Sequence, residues 1–132
     1  MSTITTFTDK SQSVELPSTY VQKNEAVINF SETACLSGDV VQCLDIPANS
    51  VVFKVGAKVL TAEAGTHTLG DGADVDGYLT ALDSSSTGVS LAGGALAGGK
   101  YYSVADTIDL VLGADMDSGK VSVFALYGQL EA

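Results

Sequence analysis

Apolar side chains recur at every second position in short runs along this chain, and glycine or aspartate cuts the runs apart. No stretch of twelve or more residues carries them at helical spacing. Val51 to Leu60 is the clearest case. Val51, Phe53, Val55, Ala57 and Val59 are placed on one face, with Lys54 and Lys58 on the other. That period of two is the signature of a half-buried strand. Gly56 inside it predicts a bulge or a close backbone approach.

The same reading places a first strand on Ala26, Ile28 and Phe30, and a second over Val40 to Ile46, ended by Pro47. Shorter strands follow over Thr66 to Leu69, around Val89 to Leu91, and from Lys100 to Val104. Tyr78 to Leu82 reads as a strand or a single helical turn. Ile108, Leu110 and Leu112 alternate with polar neighbours, and Val121 to Leu130 is the last strand, apolar on both faces from Val123 onward and expected near the centre of a sheet. About eight antiparallel strands with frequent turns predict an all-β domain, a β-sandwich or jelly roll.

A chain of 132 residues fits one domain. Residues 1 to 25 are polar and are expected to form an N-terminal arm, leaving residues 26 to 132 as the sandwich. Met1 to Asp9 lack a basic start and an apolar run, so no leader is expected. No run approaches the ~18 apolar residues of a spanning helix, and no membrane partner is expected.

The charge narrows the partners. Sixteen acids stand against six basic residues, all lysine, for a net charge of −10. Such a chain repels nucleic acid, and it has no arginine to grip phosphate. It suits a protein that docks on a more basic surface or stays soluble at high concentration. Cys35 and Cys43 are the only cysteines. They are expected to be reduced, half-buried thiols of a protein made in a cytosol, with a Cys35–Cys43 bond as the alternative.

Gly94 to Lys100 matches the G-x-x-x-x-G-K part of a phosphate-binding loop. That chemistry needs a hydroxyl after the lysine and a helix whose amides cradle phosphate. Tyr101 follows instead, and a strand is expected, so the segment reads as a glycine loop and no nucleotide or other cofactor is assigned. The acidic loop Asp71 to Gly77 offers Asp74 and Asp76, with Asp83 beyond it, as weak calcium candidates. The closing glutamate and flanking helices of a calcium loop are missing, which favours a glycine-and-aspartate turn. His67, the only histidine, is expected on the exposed face of its strand. No nucleophile and base arrangement is visible, so no enzymatic role is expected.

Tyrosine buries a large ring while its hydroxyl stays wet, which suits contacts between subunits. Tyr101, Tyr102 and Tyr127 are therefore candidate interface residues, with ordinary packing as the alternative. Phe7 and Tyr20 are the matching candidates in the arm. Tyr101 and Tyr102 face opposite ways in a strand, so one ring is expected to leave the core.

The order of several segments resembles a known group. They are Asp45-Ile46-Pro47-Ala48 with Val55 to Ala62, then Leu69-Gly70-Asp71-Gly72 with Asp76-Gly77-Tyr78. Gly99-Lys100-Tyr101, Asp106 to Leu110, and Gly119-Lys120-Val121 to Tyr127 complete the series. Over residues 40 to 130 the chain resembles small phage virion proteins of the capsid decoration, or cement, type, many from phages of aquatic bacteria. The resemblance implies a subunit that clips onto an assembled head, often as a homotrimer. Its partner would be the major capsid protein, and its place the outer surface of the virion. A head-fibre or tail-associated β-domain is the nearest alternative. A carbohydrate-binding module is another, weakened by the absence of tryptophan.

Overall fold

The computed structural model describes residues 21 to 130, and all of its regular elements are strands. They are β1 (Gln22–Asn29), β2 (Val40–Ile46), β3 (Ser50–Thr61), β4 (Thr66–Gly70) and β5 (Leu79–Asp83). β6 (Gly88–Leu91), β7 (Lys100–Tyr102), β8 (Asp106–Val111) and β9 (Lys120–Gln129) follow. The first strand thus begins at Gln22, four residues ahead of the expected Ala26. The earlier residues of the arm, Phe7 and Tyr20 among them, lie outside the described part.

Two antiparallel sheets stack to make a β-sandwich. The larger runs β1-β9-β3-β6, with β7 beside β6 along the same edge of β3; the smaller runs β2-β8-β4-β5. β9 pairs with β3 from Lys120 to Gln129 and with β1 from Lys120 to Tyr127, so it lies inside the sheet. Val52, Val55, Ala57, Val121, Val123 and Ala125 from the larger sheet face Leu44, Ile46, Leu69, Leu82, Ile108 and Leu110 from the smaller, all buried.

The alternation in β3 does not run unbroken. The register against β9 slips between Val52 and Lys54. Val52 turns into the core, and Phe53 is 48 % exposed rather than inward. A bulge adds one residue, so the inward set changes parity across it. Gly56 marks a close approach. A Cβ there would lie 2.5 Å from Phe124 Cζ and 3.0 Å from the Ser90 carbonyl oxygen.

Candidate functional site

The turn after β4 and the start of β7 meet at a buried polar centre. The side chain of Asp71 is fully buried and takes four hydrogen bonds. The ammonium of Lys100 donates to its Oδ2 at 2.6 Å, and the hydroxyl of Tyr102 to the same oxygen at 2.7 Å. The N–H groups of Ala73 and Asp74 donate to Oδ1 at 3.0 and 2.8 Å. Tyr102 has spent its proton on Asp71, so the Tyr78 hydroxyl, 2.7 Å away, donates to Tyr102. Lys100 also sits 4.7 Å from the centre of the Tyr102 ring. Burial works to raise the Asp71 carboxyl, but Lys100 and Tyr102 hold it below its ordinary value. Burial, the Tyr78 bond and the Asp71 charge push the Tyr102 hydroxyl far up, and burial takes Tyr78 to about 12. The lysine is charged, the carboxyl ionised and both phenols neutral, which fits a brace between the two sheets.

Lys100 therefore has a structural partner. The glycine segment before it turns without forming a helix, so no row of helix N-terminal amides faces its ammonium. The acidic residues are dispersed as well. Asp83 accepts from the Ser85 N–H and hydroxyl at 2.9 and 2.6 Å, away from Asp74, whose carboxyl is raised by its neighbour Asp76. Among the described residues no three His, Cys, Asp or Glu side chains gather as metal ligands. Glu63 closes a further turn. Burial works upward on it, yet the N–H groups of Asp117, Ser118 and Gly119 bring its carboxyl down to about 2.

His67 is 1 % exposed, against the expected surface position. Its partner across β4 and β5 is Leu82, so both point into the sandwich. The ring is tolerated there because both nitrogens are satisfied. Gly113 N–H donates to Nδ1 at 3.1 Å, which places the ring proton on Nε2, 2.9 Å from Ser84 Oγ. Ser84 Oγ in turn donates to the Glu63 carbonyl at 2.7 Å. This chain ends on a main-chain oxygen and lacks a carboxylate to orient a base, so it is a packing device.

Burial lowers the His67 pKa below its ordinary 6.5. The unfolded chain then takes up a proton first as pH falls. The contribution of neutral His67 is complete above about 6.5 and declines below it, until the folded ring protonates. Proton NMR of this single imidazole is expected to give a midpoint below 6.5. A midpoint at or above that value would mean the ring is not held neutral.

Cys35 and Cys43 are half-buried free thiols, and burial lifts Cys43 to about 12. The tyrosine pair divides as expected from strand parity: Tyr101 is 51 % exposed and Tyr102 4 %. Tyr102 belongs to the buried brace. The Tyr101 hydroxyl donates to Asn49 Oδ1 at 2.7 Å and stays at the surface. Tyr127 is half-buried, donates to Gln22 Oε1 at 2.8 Å, and lines an open groove of ≈ 570 Å³ with Asp45, Pro47 and Asp106. The brace escaped the sequence reading, although one signal pointed to it. Lys100 shares strand parity with Tyr102, so one inward ring predicts an inward ammonium that needs a buried carboxylate.

No protein-family model matches the chain, and no curated protein matches it. Its fold does match solved structures. A chain in the capsid of Ralstonia phage GP4 aligns at TM-score 0.67 and 16 % identity, covering 89 % of this chain and 90 % of that one. A chain in the cyanophage Pam1 capsid asymmetric unit aligns at 0.64 and 15 % identity, covering 83 % and 85 %. A chain in the acidic stable capsid structure of Helicobacter pylori bacteriophage KHP30 aligns at 0.62 and 13 % identity, covering 82 % and 86 %. The covered shares are nearly equal on both sides, so these chains are close to this one in length. The chain shares the β-sandwich fold of these small capsid-associated chains.

Proposed function

We propose that this protein is a structural subunit of a phage virion, a decoration or cement protein that binds the outside of the head and stiffens it. The observation that carries the reading is the match along most of the chain to capsid chains of its own length. The described polar centre is closed on itself, with Lys100, Tyr102 and Tyr78 spent on Asp71, and it leaves no group aimed at a substrate. The partners in this reading are the major capsid protein and other copies of the chain, as a homotrimer. A trimer engages three shell sites at once, so modest contacts add through effective concentration.

The test is cosedimentation with empty heads of the virus that carries the chain, combined with light scattering. Binding is expected to saturate at hundreds of copies per head, from a species of three times the chain mass. Saturation at a dozen copies or fewer would favour a fibre or tail role instead. Residues 1 to 20 are assigned to a contact with a neighbouring subunit or the shell. Deleting them is expected to weaken head binding about tenfold or more while the melting temperature stays unchanged, since effective concentration multiplies each lost contact. Undiminished binding would remove the arm from the interface.

A further inference from the structure

The two sheets carry opposite charge. The strands of the larger hold Lys23, Lys54, Lys58, Lys100 and Lys120 against a single acid, Glu25. The strands of the smaller hold Asp45, Asp83, Asp106 and Asp109 and no lysine. Lys100 is spent on Asp71. The other four lysines alternate with the core-facing residues of β1, β3 and β9, and so lie on the outer face of the larger sheet. In a chain of net charge −10 this face is basic.

It is also apolar at its centre. One cross-strand row reads Glu25, Phe124, Gly56, Leu91, and the next reads Val27, Ser122, Lys58, Val89. The Phe124 ring lies over Gly56, the only residue type that leaves it room. Val27, Val89 and Leu91 are each more than half exposed. Beside them is a depression of ≈ 310 Å³ lined by Phe124 and Val89 together with Lys23, Lys58, Glu25 and Ser122. Glu25 accepts from Ser122 Oγ at 2.6 Å and pairs with Lys23 at 3.4 Å, so it cancels one lysine charge and leaves Lys54, Lys58 and Lys120 to make the face basic. An apolar spot ringed mainly by charges of one sign is the anatomy of a docking surface.

We infer that the outer face of the β1-β9-β3-β6 sheet docks on an acidic protein surface, one that offers carboxylates to Lys54 and Lys58 and an apolar side chain to the Phe124 depression. A second copy of the chain is a poor occupant. Its lysine-free sheet faces the opposite way in the sandwich, so that pairing would run on as an open stack without closing. A nucleic acid or an anionic bilayer presents an extended negative surface, which the acids over the rest of the molecule repel. The occupant is therefore a different protein. Resting on the reading above, it is the shell, and the shell's contact patch is acidic despite the acidity of the subunit that lands on it.

The experiment compares the full chain, Lys54→Glu/Lys58→Glu, and an opposite-face control, Asp45→Lys, for binding to empty heads. Binding of the full chain is expected to weaken as salt is raised, and the double reversal to weaken it about thirtyfold or more. The control is expected to bind as well as the original, and all three to melt together. If the full chain does not bind heads, the shell reading itself falls. If it binds and the double reversal binds equally, the docking face alone is wrong. Light scattering closes the remaining route. A double reversal that turns an oligomer into monomers would show that a second copy occupies this face, and would overturn the assignment.

Discussion

Replacing Asp71 by alanine is expected to destabilise the protein by roughly 3–5 kcal/mol, the cost of leaving a buried ionic partner unpaired. For a chain of this size that lowers the melting temperature by on the order of 10 °C or more. The size of the effect follows from position, because every other member of the brace depends on this carboxylate. Without it Lys100 loses its ion pair, Tyr102 its acceptor, and two main-chain N–H groups their cap. Lys100→Met is expected to cost much less, since Asp71 keeps three donors and the ammonium is partly exposed. Tyr102→Phe falls between, near 1–2 kcal/mol, because it takes one bond from Asp71 and the acceptor from Tyr78. Thermal melts of the three variants at pH 7 check the order. Asp71→Ala melting with the original protein would mean that the brace contributes no stability.

The brace also sets a sign for pH. The folded Asp71 carboxyl lies below its ordinary 3.8, and Glu63 at about 2 lies below its ordinary 4.5. Each contributes stability that is complete above the unfolded value and is lost as pH falls toward the folded one. These losses begin near pH 4.5, below the His67 window that opens near 6.5. Asp109 opposes them, because burial raises its pKa and protonation relieves it.

How much of this was legible in the sequence depends on whether the deciding interaction was local. Strand positions were legible because alternation and turn residues are short-range signals. Val40 to Ile46 and the central place of β9 follow from them directly. Phe53 was misplaced because a bulge changes parity through pairing with β9, which no local pattern records. His67 was misplaced because a lone histidine reads as polar, whereas Gly113 and Ser84, distant in sequence, let it be buried. The charge division was hidden for a third reason. Strands of the two sheets are interleaved along the chain, so lysine-bearing and aspartate-bearing strands separate only once the topology is known.

Gly70→Ala is expected to be the other severe lesion, costing about 3 kcal/mol, the upper end of what overpacking does. A Cβ at Gly70 would collide with the Asp74 carbonyl oxygen and lie 2.6 Å from that of Val75. Both are main-chain atoms of the turn that folds back over the end of β4, so no side-chain rotation relieves the contact. The turn itself must open. It is pinned by the Asp71 N–H to the Asp74 carbonyl at 2.9 Å and by the Tyr78 N–H to Leu69 at 2.9 Å. Opening it also withdraws the Ala73 and Asp74 N–H groups from the Asp71 carboxylate. Gly70→Ala therefore injures the same brace that Asp71→Ala removes, and two lesions in one network do not add. The double variant is expected to lose less than the sum of the two single losses, by about 1 kcal/mol or more. Denaturant unfolding of the four proteins measures the difference. Strict additivity would mean that the turn and the buried carboxylate are independent, and the glycine would then be needed only for space.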